Sequence, residues 1–139
     1  MSTLSQFFLS RPTVADNTPD GRISIEGGWY ICRGPVGTAW IVASLNTEVS
    51  RTWYCRNDAT TTANACTGCT GWFVPTRVQL QNPGYTCRQY WDSFSPPYYW
   101  SSTEANAFLA CFVYFTSGSA NNAAKNGTYC VRAFRCVTY

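Results

Sequence analysis

Residues 107–116, AFLACFVYFT, are apolar at every position but the last, on both alternating sides of an extended chain. Side chains of a strand point to opposite faces in turn, so a run that is apolar on both faces belongs inside a sheet covered from two sides. In a chain of 139 residues, one such strand predicts one core with the remaining elements packed around it.

Moving toward the C-terminus, residues 117–127 are polar, and residues 128–139 (TYCVRAFRCVTY) alternate again. Tyr129, Val131, Ala133, Arg135 and Val137 share one predicted face, with Cys130, Arg132, Phe134 and Cys136 on the other. The pair predicts a hairpin with a long solvated loop. Toward the N-terminus, Pro96-Pro97 closes an aromatic stretch over residues 85–95, just before Tyr98-Tyr99-Trp100. Thr76 is placed to cap a helix and Gln79 to complete a capping box, while Asn82-Pro83-Gly84 stops that helix early. Residues 55–71, rich in Thr, Ala, Asn and Gly, are predicted as an irregular loop. Residues 28–32 and 39–44 are β-prone, and the turn at residues 33–37 makes them a hairpin.

Composition narrows the function classes. Charged residues make up 12% of the chain, about half the usual share of roughly 25%, while aromatics reach 17%. A surface with so few charges is covered by neighbours or built for contact, and a homo-oligomer is expected. The net charge of +3 comes from scattered basic residues with no Lys/Arg run, so nucleic acid is not expected as a partner. Histidine is absent, which removes the commonest general base near neutral pH and the commonest metal ligand. No run approaches the ~20 apolar residues of a membrane span, and residues 1–13 lack the basic and apolar regions of a signal peptide.

Eight cysteines sit awkwardly with that. Either the protein assembles inside a cell and works outside it, as particles released by lysis do, or the thiols stay reduced and pack as small apolar groups. In the first case Cys55, Cys66, Cys69 and Cys87 are the expected disulfide partners, pairing among themselves. Cys66-Thr67-Gly68-Cys69 has the spacing of half a zinc knuckle, but the other half is missing, so neither metal nor cofactor is expected. Residues 1–26 contain neither Cys nor Trp and hold one apolar cluster, Phe7-Phe8-Leu9. The expectation is an extended N-terminal arm over residues 1–26, docked on a partner through Phe7, Phe8 and Leu9, followed by one domain over residues 27–139.

Three local patterns then coincide in order. Gly71-Trp72-Phe73-Val74-Pro75-Thr76-Arg77-Val78-Gln79-Leu80 resembles a G-W-x-x-P-T-x-x-E-L element, Tyr99-Trp100-Ser101-Ser102-Thr103-Glu104 resembles W-S-S-T-E, and Val131-Arg132-Ala133-Phe134-Arg135 resembles V-R-x-V-R. With Gly118 between the last two, and more loosely Gly27-Gly28-Trp29-Tyr30 and Trp40-Ile41-Val42-Ala43, residues 27–139 resemble the Fibrobacter succinogenes major paralogous domain and the C-terminal domain of collagen-like adhesins. The resemblance implies an α+β, strand-rich, C-type-lectin-like fold: short antiparallel sheets, one or two short helices, long loops, and first and last strands paired.

Members of that fold include adhesins, phage receptor-binding tips and formylglycine-generating enzymes, so function must be argued from the site. Trp72, Pro75, Thr76, Trp100, Ser101, Ser102, Arg132 and Arg135 are expected to be scaffold, with Arg132 or Arg135 pairing with Glu104 or Asp92. Cys130 and Cys136 stand where a reactive pair would be sought, but no activating base flanks them. A calcium cage is disfavoured because Gln79 replaces the acidic helix residue. Tyr90, Trp91, Tyr98, Tyr99, Asn121 and Asn122 are the expected ligand-facing residues, suited to stacking on sugars or docking on protein. The leading expectation is a non-enzymatic virion structural protein, capsid-decorating or tail-associated, held to other virion proteins by its arm. A receptor- or glycan-binding adhesion module is the alternative.

Overall fold

The computed structural model describes residues 28–35, 37–94 and 97–138. The arm with Phe7, Phe8 and Leu9 lies outside the described residues.

The opening hairpin forms as its sequence predicts: β1 (Gly28–Arg33) pairs antiparallel with β2 (Thr38–Ala43). Gly28 is required there, because a Cβ would come within 2.5 Å of the Val42 carbonyl and 2.6 Å of Ile41. The third strand of this sheet is β8 (Phe134–Thr138), which lies against β2. The last strand therefore pairs with the second and not, as expected, with the first.

A second, five-stranded sheet has the order β3 (Val49–Arg51), β7 (Tyr129–Val131), β4 (Tyr98–Glu104), β5 (Leu109–Tyr114), β6 (Ser119–Ala124). All its pairings are antiparallel except β4 with β7, which run parallel at Tyr99 and Cys130. Two sequence expectations change here. The C-terminal run is not one strand: it breaks at Arg132-Ala133, so that β7 and β8 join different sheets. The segment 117–127 is not all loop, since its residues 119–124 pair continuously with β5.

Residues 55–71 also form more structure than expected. Residues 58–67 make helix α1 (Asp58–Thr67), with Ala59 and Ala63, one turn apart, fully buried. Thr60, Thr62 and Thr67 turn their hydroxyls back onto the carbonyls of Asn57, Asp58 and Ala63, which satisfies side chains that would otherwise favour non-helical backbone. Gly68 ends the helix at φ 72°, the left-handed conformation that favours glycine. The second helix is the short one predicted, α2 (Arg77–Gln79), with the full capping box between Thr76 and Gln79. Asn82, at φ −147° and ψ 109°, breaks the helical path just before a cis peptide bond to Pro83.

Strand alternation sorts the core into two clusters. Ile41, Trp100, Ala110 and Val131 join Trp53, Trp72, Ala59 and Ala63 in one. From the opposite faces of the same strands, Val42, Tyr99, Val113 and Cys130 join Leu80, Trp91, Phe115 and Phe134 in the other. No helix among the described residues is long and apolar enough to cross a membrane.

Candidate binding face and the scaffold beneath it

The motif residues act as a weld between distant segments. The Trp100 indole N–H donates to the Arg51 carbonyl at 3.0 Å, and the Trp53 indole N–H donates to the Ser101 carbonyl at 2.9 Å. Ser101, fully buried, donates its hydroxyl to the Cys111 carbonyl at 2.6 Å, at the irregularity where β4 loses register with β5. The Ser102 N–H donates to the Pro75 carbonyl at 2.8 Å, and Thr103 Oγ1 accepts the Arg77 N–H at 2.9 Å, so the second motif caps the first. Trp72 donates to Thr67 Oγ1 at 3.1 Å, which ties α1 into the same core. A buried indole needs such a partner for its one donor.

Arg132 is the second fixed point. Its side chain has no solvent exposure and contacts Glu48 at 2.9 Å and Asp92 at 3.1 Å. Its remaining donors go to the carbonyls of Ala43 at 3.0 Å and Ser93 at 2.6 Å. The expectation of an Asp92 pair is met, while Glu48, 84 residues away, is the partner that sequence reasoning missed. Glu104 instead pairs with Lys125. Arg135 lies over the Trp72 ring, 5.9 Å from its centre. Tyr99 donates its hydroxyl to Glu48 at 2.6 Å; burial, then that bond, push its pKa far above the usual value. Cys130 is raised by the same causes, burial first and Glu48 second, to about 12. Burial also raises Cys111.

The expected ligand-facing residues divide. Trp91, at 6% exposure, and Tyr99, at none, are core; Trp91 packs edge-on against Tyr99, Phe94, Phe115 and Phe134. Tyr90 packs against the same cluster. Asn122 pairs with Cys111, on the opposite side of the sheet from Tyr98. That leaves Tyr98 and Asn121, and around them the structure assembles residues not singled out in the sequence.

Tyr98, 40% exposed, stacks on Tyr114 with ring centres 5.1 Å apart and 24° between planes. Phe112 stands edge-on to Tyr98 at 5.4 Å, and Tyr129 lies 5.3 Å from Tyr98 and 4.7 Å from Trp100. Phe112, Tyr114 and Tyr129 are half-buried, so the cluster is anchored in the sheet and open to water on one side. Cross-strand pairing brings Asn121 beside Phe112 and Ser119 beside Tyr114, both exposed. A groove of about 200 Å³ runs along the other side, lined by Ser50, Tyr98, Thr128, Tyr129 and Cys130. Gly118 turns β5 into β6: at φ 80° its Cα lies against Tyr85, which packs with Phe115 on the closed side, and a Cβ would come within 2.5 Å of the ring. The signal for these residues was present in residues 107–116, whose even-numbered aromatics Phe112 and Tyr114 share the face of Tyr98.

The four cysteines expected to pair do not: no two of the eight stand at disulfide-bonding distance. Cys55 and Cys66 are exposed, and Cys69 and Cys87 half-buried. Cys130 and Cys136 fall in different sheets, on β7 and β8. Among the described residues, no three His, Cys, Asp or Glu side chains converge on one point. Comparison with known proteins finds no matching family model and no curated protein that matches.

Proposed function

We propose that this chain is a non-enzymatic binding and display domain whose aromatic face, centred on Tyr98 and Tyr114, takes a saccharide. The observation that carries the reading is the exposed Tyr98 ring stacked on half-buried Tyr114, with amide and hydroxyl groups at their edge. Ring faces present negative π-density to the C–H faces of a pyranose, while Asn121, Ser119, Ser50 and Thr128 offer both donors and acceptors to its hydroxyls. The cross-strand partners Tyr98, Phe112, Tyr114, Ser119 and Asn121 are uncharged, and Arg51, the partner of Tyr129, is paired with Asp58 at 2.8 Å, which suits a neutral ligand better than a phosphate or a peptide of fixed charge.

The three motifs and the α+β, strand-rich architecture support a C-type-lectin-like fold and kinship with the adhesin domains they resemble. A virion setting, with the arm on other virion proteins and this face outward, rests on the sequence: few charges and many cysteines. The enzyme alternative is disfavoured by Cys130, which burial and Glu48 hold as a thiol, and by its separation from Cys136 in another sheet.

A glycan array probed with full-length protein and with Tyr98→Ala tests the reading. Wild type retains one or more glycans and Tyr98→Ala loses them at unchanged thermal midpoint. Wild type that retains none, or Tyr98→Ala that binds equally, removes the saccharide reading. Virion incorporation has its own test: deletion of residues 2–12 abolishes recovery of the protein in purified particles, and unchanged recovery contradicts the docking role of the arm.

A further inference from the structure

A second exposed aromatic pair stands apart from the binding face. Tyr54 and Phe108 are 64% and 79% exposed, and together with Ala124, Lys125 and Asn126 they line a cleft of about 190 Å³. Both rings project from fixed backbone. Tyr54 follows Trp53, which is buried, donates its backbone N–H to the Lys125 carbonyl at 3.0 Å and carries the Arg56 guanidinium 3.6 Å above its ring. Phe108 is held by its N–H on Asn106 Oδ1 at 2.8 Å and by its carbonyl, which accepts the Lys125 N–H at 3.0 Å. The cleft is therefore preformed.

Its chemistry is apolar although a lysine lines it. Lys125 is 4% exposed and its ammonium is already satisfied by Glu104, by the Ala107 carbonyl at 3.1 Å and by the Trp53 ring at 4.7 Å. Among the residues lining the cleft no free cation remains to call for an anionic ligand, so what the site lacks is an apolar side chain between the two rings. Ala124, on the cleft wall, is the last residue of β6, an edge strand reading SANNAA with no charge and no proline. Edge strands that lack such blocking residues are open to strand addition.

The chain carries one segment of matching chemistry. Residues 4–10, LSQFFLS, are uncharged, contain no proline and hold Phe7-Phe8-Leu9. Gly28 lies 19 positions after Leu9, a reach of up to roughly 60 Å when extended, so span is not limiting. A chain with only 12% charged residues favours association of copies, so the occupant is taken from a second copy. We infer that residues 4–10 of a neighbouring copy lie along β6 and seat a Phe of the Phe7-Phe8 pair between Tyr54 and Phe108, linking copies by arm exchange. This is independent of the saccharide reading and would hold if that reading failed; it takes the partner of the arm to be a second copy of this chain and not a different virion protein.

The test is sedimentation of the full-length protein across the micromolar range, alone and as two variants: Phe7→Ser/Phe8→Ser in the arm and Phe108→Ser in the cleft. The expected result is an associated wild type, with association weakened roughly 30-fold or more in each variant, the loss of one buried aromatic anchor. A mixture of the two variants then associates more strongly than either alone, because an intact arm meets an intact cleft; this also shows that neither variant is merely unfolded. A monomeric wild type, an association that survives either variant, or a mixture no better than its components overturns the inference. Loss in the cleft variant alone would mean that the rings pair with each other across copies, which equally overturns it.

Discussion

Tyr98 and Tyr99 are neighbours in one strand and occupy different environments. Tyr99 has no exposure, and its hydroxyl is fixed on Glu48 beneath the buried guanidinium of Arg132. Tyr98 is 40% exposed, and its ring contacts are with Tyr114, Phe112 and Tyr129. The side of the sheet bearing Tyr99, Val113 and Phe115 is closed by Leu80, Trp91 and Phe134. The side bearing Tyr98 is closed at one end only, where Trp53 and α1 cover Ala110 and Trp100. Burial on the first side stabilises the fold; the large aromatic area left open on the second is available for contact. The two sides should therefore respond to substitution in opposite ways.

The largest effect is expected on the closed side. Arg132→Met leaves Glu48 and Asp92 without their common cation, and loss of one partner of a buried ion pair costs about 3–5 kcal/mol. Urea denaturation followed by tryptophan fluorescence should show that loss in the midpoint; a shift below about 1 kcal/mol would mean that the cluster does not hold the two sheets together.

The second expectation concerns pH. Folding raises the pKa of Cys130 from an ordinary 9.0 to about 12, and Tyr99 moves in the same direction. Above pH 9 the unfolded chain loses the Cys130 proton while the folded chain keeps it, so stability is intact below pH 9 and falls as pH rises toward 12. Denaturation midpoints that stay flat to about pH 11 would contradict the burial of this thiol. Alkylation of the native protein at about pH 8 sharpens the same point: Cys55, Cys66 and Cys136, all exposed, should label before Cys111 and Cys130.

A smaller effect is expected where the motifs meet. Thr76→Ala removes the cap of α2 and should cost about 1 kcal/mol, as helix caps generally do, with the binding face untouched. Loss of glycan binding in Thr76→Ala at preserved stability would show that the two regions are coupled.

What the sequence revealed follows the range of the forces involved. The capping box at Thr76 and the opening hairpin depend on residues a few positions apart and were legible. Helix α1 was not, because its Thr- and Asn-rich sequence favours turns and it is held by burial of Ala59 and Ala63 against the Trp53 core. Gly68 as a C-cap, with that alanine pair one turn apart, was the signal available. Strand β6 escaped notice because SANNAA has no β-branched or aromatic residue; pairing with β5 alone makes it a strand. In Tyr98-Tyr99-Trp100 every position is aromatic, so the sequence could not tell which face meets water. That choice depends on Glu48 and Arg132, far away in the chain, which take the Tyr99 side.

The most direct measurement sets Tyr98→Ala beside Tyr99→Ala, each assayed for urea stability and for binding to a glycan retained by the wild type. The opposition of the two faces predicts that Tyr99→Ala loses about 3–5 kcal/mol, whereas Tyr98→Ala stays within about 1 kcal/mol of wild type and loses binding at least tenfold. Equal destabilisation by both, or unchanged binding by Tyr98→Ala, would contradict it.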